Sequence, residues 1–395
     1  MQMVRYCRRV KAEYSSEEWC SELTSYIIRG VLQAMKCGHQ EARKLFPVLL
    51  LELEQLPPDS PTIELFKSEV EDIPSWLFLP WSAQILAHLP SLHGPLAPLA
   101  ARLARDYPAA LRHHYRLSRH AWETKPSPVG HIIQRFDELL IDGNTETLVQ
   151  ALGTLCCPIT LLKNSIEKLI SLDESRWTEA IKELIATTYP EVKSIAGIRI
   201  RGPVFKLLDP YKISLESLLK NDDNTFRKRE LRKIFASLQG GDVAKSTVER
   251  KRWALANFSP FLARYGEEQD GELEVFGQYD GFRNMPPNVL DHVKIGRFQD
   301  EVTVLPTLRR PVRLSLIGSD GKRYGFLMKR GEDLRQDDRI QQLFQLMNHP
   351  LAETGMAIST YNVIPLSHDM GLIEWVEGCA TLKELACHAD PQLDG

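Results

Sequence analysis

Apolar side chains recur every three or four residues along the first part of the chain and every second residue along the last part. Leu23, Ile27, Val31 and Met35 form one helical stripe, which stops at Gly38. Leu45, Phe46, Leu49, Leu50 and Leu53 form a second, ended by Pro57 and Pro58, and Pro47 inside it predicts a late start or a kink. A third helix is predicted over residues 62–70. Residues 73–89 are the most apolar stretch of this half, and PLAPLAARLARDYPAALRHHY and HIIQRFDELL follow. Antiparallel helical pairs in a row predict a helical-repeat region over residues 1–157, although no fixed period emerges. Within it Trp76, Trp81 and Tyr107 read as core residues. Residues 158–239 carry four more amphipathic segments, the makings of a small bundle; Trp177, Ile181, Leu184 and Ile185 share one face. Its last segment holds the basic run Arg227, Lys228, Arg229, Arg232 and Lys233. Phe226, Leu231, Ile234 and Phe235 interleave with that run, which favours a solvated helix face over a nucleic-acid contact.

The period then changes. Residues 240–270 are rich in glycine and charge and read as a connection or mobile insert. Residues 312–317 and 323–329 alternate as strands, joined by GSDGK, where Asp320-Gly321 is a hairpin turn signal. Residues 358–366 and 371–375 predict two further strands, and TLKELACHAD a final helix. Between the strand pairs, Ile340, Leu343, Phe344 and Met347 mark a helix, with Glu332 and Asp333 at its positive end and Pro350 closing it. The fold class is therefore multi-domain: an all-α helical-repeat region and bundle, then an α+β unit with an antiparallel sheet and one helix inserted after its third or fourth strand.

Composition narrows the picture only a little. The 395 residues are 43% hydrophobic and 26% charged with a net charge of -3, so bulk charge argues neither for nor against nucleic acid. Seven cysteines without a CxxC pair indicate neither a disulfide framework nor a zinc site. The basic N-terminus lacks the apolar core of a signal peptide, and no run of 18 apolar residues predicts a membrane span. GxxxxGK[ST], GxGxxG, HExxH and GxSxG are absent.

One chemical unit remains. Lys329 ends an apolar strand, Gly331 breaks it, and a helix dense in carboxylates begins within a few residues. A cation on a rigid strand beside such a helix can fix a phosphate. The competing reading is a surface lysine beside a charged helix start, and spacing alone does not choose between them.

KRGEDLRQD (residues 329–337), followed by QQLFQLMN, resembles the N-lobe signature of the phosphatidylinositol-3-kinase-related kinases. The DLRQD element is specific to that superfamily but is shared with its lipid kinases. LEVFGQYDG, VTVLPTLRRPVR and TYNVIPLSHDMGLIEWVEGCATLKEL resemble the protein-kinase members, and GQYDG and LRRP most resemble the DNA-dependent branch. Earlier segments, such as VEDIPSWLFLPWSAQI, resemble the end of that family's FAT helical region. The resemblance implies a FAT-type region over 1–157, an FRB-like bundle over 158–239, and a catalytic-domain N-lobe with hinge over 240–395. It makes Lys329 the ATP-phosphate lysine, with Glu332 a candidate partner. Asp337 and Tyr361 would line the back of the pocket and Leu327 its floor. Trp375 would pack on adenine, Val376 would offer a hinge backbone group, and Thr307 would sit in the phosphate-covering loop. The implied parent is a nuclear serine/threonine protein kinase using ATP and Mg²⁺ in double-strand-break repair by non-homologous end joining, recruited by the Ku heterodimer and DNA ends, with no membrane. The connection from Asn348 to Tyr361 is shorter than expected for the family. No catalytic-loop or magnesium-aspartate motif follows the hinge, so this chain by itself is expected to be inactive, with no catalytic residue or metal ligand of its own. The alternative is a helical-repeat scaffold with a degenerate nucleotide fold, working through protein contacts.

Overall fold

The described residues of the computed structural model are 1–395 without 14–16, 124–129, 190–193, 196–197, 241–251, 268–272, 280–284, 381, 383–384 and 386–395. The helix expected from TLKELACHAD falls largely outside them. Helices α1 (Gln2–Glu13), α2 (Glu17–Lys36), α3 (Gln40–Lys44), α4 (Phe46–Glu54) and α5 (Pro61–Glu71) open the chain. The stripe of α2 is fully buried at Ile27, Val31 and Met35. Pro47 lies in the first turn of α4, where its missing N–H leaves no bond unmade, so the late start is what occurs. Ser60 caps α5, its hydroxyl oxygen accepting from the Thr62 amide at 3.3 Å. The apolar stretch 73–89 is not one helix. A 3₁₀ segment, Ser75–Trp81, contains Pro80 and gives way to α6 (Ser82–His88). Then come α7 (His93–Asp106), α8 (Pro108–Glu123) and α9 (Gly130–Leu140).

One apolar core runs from Val4 to Leu140. Its centre is aromatic: Phe46 meets Phe78 edge-on at 5.0 Å and Phe66 at 6.5 Å. Arg43 is buried among them, with Nε donating to the Leu77 carbonyl at 3.3 Å and the guanidinium 5.0 Å from the Trp76 ring. Burial lowers its pKa to about 10. Trp81 is buried and donates to the Arg43 carbonyl.

A second core belongs to the bundle of α11 (Pro158–Ser171), α12 (Trp177–Thr188), α13 (Lys212–Lys220) and α14 (Asn224–Gly240). The basic run on α14 is not uniformly solvated. Arg227 is buried and donates to the Leu218 carbonyl, Thr178 Oγ1 and Asp222. It satisfies one carbonyl in the last turn of α13 as an internal staple. A two-stranded ladder, β1 (Ser194–Ile195) with β2 (Ile198–Arg199), sits between α12 and α13.

The third core lies against one antiparallel sheet. Its strands are β3 (Arg252–Ala254), β4 (Ile295–Phe298), β5 (Glu301–Val304), β6 (Val312–Gly318), β7 (Arg323–Arg330), β8 (Val363–Ser367) and β9 (Met370–Glu374). The order is β3-β5-β6-β7-β9-β8, with β4 also paired to β6. The segment read as a mobile insert is partly built into this unit. β3 pairs with β5, and α15 (Leu255–Phe258) and α16 (Pro260–Ala263) bury Leu255, Phe258, Phe261 and Leu262. Strands β3, β4 and β5 precede the hairpin, so the inserted helix, α17 (Arg335–Ala352), follows the fifth strand of the sheet rather than the third or fourth. α10 (Gly143–Leu152) packs Leu148, Val149 and Leu152 into this core. The predicted turn holds: Gly321 has φ 75°, and Asp320 Oδ1 accepts from the Lys322 amide. Residues 358–361, read as strand, are irregular. Asn348 pins them instead, exchanging two hydrogen bonds with the Ile358 backbone. Pro350 falls inside the last turn of α17 and does not stop it.

Candidate nucleotide-binding site

The pleat of β7 sets the site. Phe326 and Met328 point into the core, so Leu327 and Lys329 stand on the opposite face. The ladder places Leu327 beside Arg313 of β6 and Ile373 of β9, and Lys329 beside Gly371. Gly371 has to be small: a Cβ there would stand 2.6 Å from the Ile364 carbonyl oxygen and 2.9 Å from Leu334 Cδ1.

Lys329 Nζ donates to Glu332 Oε2 at 3.2 Å. Glu332 Oε1 also meets Arg309 Nε at 3.1 Å, and Arg309 Nη1 donates to the Gly331 carbonyl at 2.5 Å. One carboxylate thus bridges two cations and ties the β5–β6 loop to the end of β7, leaving an excess of positive charge. Thr307 sits in that loop, exposed, its carbonyl accepting from the Arg310 amide. Arg310 closes the turn with φ 51°. Past Gly331, Asp333 accepts from the amide and guanidinium of Arg335 at the start of α17, and these bonds hold its pKa below the usual carboxylate range.

Asp337 lies in the first turn of α17, and no hydrogen bond joins it to Lys329 or Tyr361 among the described residues. Tyr361 is held one turn further along, its amide donating to Gln341 Oε1 at 3.2 Å. After β9, the Trp375 amide donates to the Gly325 carbonyl at 2.9 Å, and Val376 follows, 45% exposed. The Arg313 guanidinium stacks on the Trp375 ring at 4.1 Å and pairs with Glu377 at 3.1 Å. From Gly325 to Lys329 is four residues of strand, roughly 13 Å. That matches the reach from a purine base to its outer phosphates. The structure therefore brings Lys329, Glu332, Leu327 and Trp375 onto one face, with Thr307 at its rim and Tyr361 behind the helix. Sequence reading gave no role to Arg309, Arg313 or Gln341. Only Arg313 carried a readable signal, since it alternates with the buried Val312 and Leu314.

Helix α17 is clamped to the helical region. Gln342 Oε1 accepts from Gln84 Nε2 at 2.7 Å and from Arg339 Nη1 at 2.9 Å, and Gln342 Nε2 donates to the Pro80 carbonyl at 2.5 Å. His349 meets Glu41 at 2.8 Å. The predicted apolar stripe is not buried: Ile340, Leu343 and Met347 are 40, 53 and 43% exposed. No group of three or more metal-ligating side chains occurs among the described residues.

An antiparallel sheet with one inserted helix, a strand lysine paired to a carboxylate and an indole a nucleotide's length away defines the N-lobe class of kinase-fold proteins. Residues 323–392 match the family described as phosphatidylinositol 3- and 4-kinase. The chain is 30% identical to the DNA-dependent protein kinase catalytic subunit of Mus musculus over 98% of its length, and 30% identical to that of Dictyostelium discoideum over 92%. It is 31% identical over 59% of its length to the serine/threonine-protein kinase TOR of Arabidopsis thaliana. The chain belongs to the phosphatidylinositol-3-kinase-related kinases. It spans about a tenth of the length of the curated relatives it matches.

Proposed function

We propose that this chain is the helical-region, bundle and N-lobe portion of a DNA-dependent serine/threonine protein kinase acting in end joining, and that the Lys329 face holds ATP. The observation that carries the reading is Lys329 bridged through Glu332 to Arg309, four ladder positions from Trp375. Lys329 and Arg309 would hold phosphate oxygens. Glu332 would orient both cations, Leu327 would floor the pocket, and Trp375 with the Val376 backbone would take the base. Thr307 would cover the phosphates, and Asp337 and Tyr361 would close the back. The likeness to DNA-dependent protein kinase catalytic subunits, which runs over nearly all of this chain, supports Ser/Thr protein substrates, a nuclear site of action, and Ku and DNA ends as partners of the parent. Mg²⁺ would neutralise the phosphates on binding.

The test is titration of the polypeptide with a fluorescent ATP analogue. Weak, saturable binding is expected, at least tenfold weaker in Lys329→Ala and in Trp375→Ala, with far-UV circular dichroism unchanged. Binding that is absent, or indifferent to both substitutions, sinks the reading and leaves the scaffold alternative.

A further inference from the structure

A second site lies behind the nucleotide face. A cleft of about 210 Å³ opens where α8 and α10 meet α17 and residues 273–279, and neither Lys329 nor Trp375 lines it. The volume exceeds the roughly 150 Å³ that suffices to hold benzene in an apolar cavity. Leu148, Val149, Phe276 and Ile364 form its apolar walls. Most of its charged walls have partners: Arg112 meets Asp142 at 2.7 Å, and Glu274 meets His292 at 2.9 Å and Lys294 at 3.2 Å.

Asp338 is different. Its side chain lines the cleft, and among the described residues it accepts no hydrogen bond. Its nearest cation is Arg339 Nη2 at 3.5 Å, and Arg339 Nη1 is already committed to Gln342. Burial pushes the Asp338 carboxyl above the usual range, as expected for an acid short of donors. Neighbouring His113 and His114 are held neutral by burial, their pKa lowered to about 3, so they add no cation that would satisfy it. A half-buried carboxylate that accepts no hydrogen bond among the described residues and meets a cation only at 3.5 Å, beside apolar walls, suits a flat ligand that brings its own N–H groups.

We propose that this cleft binds a small planar molecule bearing N–H donors, an amidine or amino-heterocycle, with the donors on Asp338 and the ring among the apolar walls. Gln341 and Tyr361, joined by their 3.2 Å hydrogen bond, also line the cleft. An occupant therefore bears on α17 and on the strand behind the nucleotide face, which couples the two sites reciprocally. The coupling, but not the binding, rests on the ATP reading.

The probe is benzamidine, titrated into the 395-residue chain carrying ¹³C-labelled histidine. His113 and His114 resonances are assigned by His113→Gln and His114→Gln. Saturable shifts of those two signals are expected. Asp338→Asn should weaken binding roughly tenfold, the loss of one charge-assisted hydrogen bond. Ala109→Phe, which fills the cleft, should abolish binding while the remaining histidine signals stay in place. Benzoate, of the same shape and opposite charge, should give no shift at the same concentration, and Lys329→Ala should bind benzamidine as the parent does. Saturation in a chain that binds no ATP still supports the cleft. Equal shifts from benzoate, an unchanged affinity in Asp338→Asn, or no saturation by benzamidine overturns the proposal.

Discussion

Gln342 joins the helical region to the N-lobe, and its removal has a calculable cost. Gln342→Ala deletes three hydrogen bonds, to Gln84, Arg339 and Pro80. The Arg339 bond lies within α17, so two of the three cross to the helical region, and at about 1 kcal/mol net each the gross loss across the contact is about 2 kcal/mol. A freed glutamine would recover about 1 kcal/mol of rotamer entropy, so the expected net weakening of the α17 contact is about 1 kcal/mol. Global unfolding is a poor readout, because three separate cores need not melt together. Hydrogen exchange over residues 335–352 reads the local opening directly, and about 1 kcal/mol corresponds to roughly fivefold faster exchange. Gln84→Ala removes only the 2.7 Å bond and a longer one to Arg339, so its effect should be smaller. The double variant loses the shared bond once, and the cycle should return a coupling of about 1 kcal/mol. Unchanged exchange of α17 in Gln342→Ala, or a coupling near zero, would refute the claim that these amides hold the helix to residues 80–84.

Three further outcomes follow from the geometry. Gly371→Ala places a Cβ against the Ile364 carbonyl and Leu334, and should destabilise the sheet unit by about 1–3 kcal/mol, read as a lowered thermal midpoint. Glu332→Gln breaks a partly exposed bridge, so chemical denaturation should shift by less than about 1 kcal/mol even if nucleotide affinity changes. His113 and His114 are depressed from 6.5 to about 3 by burial, so the unfolded chain binds more protons below pH 6.5 and stability falls from there toward pH 3. The ceiling is about 1.4 kcal/mol per pH unit for each ring, lowered by water in the cleft. Urea midpoints at pH 7.5 and 5.5 should converge in the double Gln variant, and a persistent gap would place the acid sensitivity elsewhere.

Much of the architecture was legible because it rests on local periodicity. The α2 stripe, the Pro47 start and the Asp320-Gly321 turn each follow from a few neighbouring residues. Short elements were not legible. β3, β4 and β5 are three or four residues long, too short for alternation to stand out, and β3 and β4 are fixed by partners 18 or more residues away. Arg227 was misread for a related reason: a cation in a basic run looks solvated until a neighbouring helix end supplies its carbonyls. In the candidate site, the strand and the following carboxylates marked Lys329 as a candidate but did not distinguish it from a surface lysine, and the family resemblance made the choice. Arg309 could not be marked at all, because its contact with Glu332 crosses from one loop to another.

Helix α17 shows why a correct period can still give the wrong face. Its 3.6-residue repeat is real, and the amphipathic rule then buries Ile340, Leu343 and Met347. That rule assumes one core on one side. Here the helical region claims the edge of Arg339 and Gln342, and it does so with hydrogen bonds to Pro80 and Gln84. With its polar edge docked, the helix leaves Ile340, Leu343 and Met347 exposed. An exposed stripe of this kind, next to a closed polar interface, is the mark of a helix shared between two surfaces. Its position is then set by whatever docks at either edge, the Gln342 clamp to residues 80–84 among them.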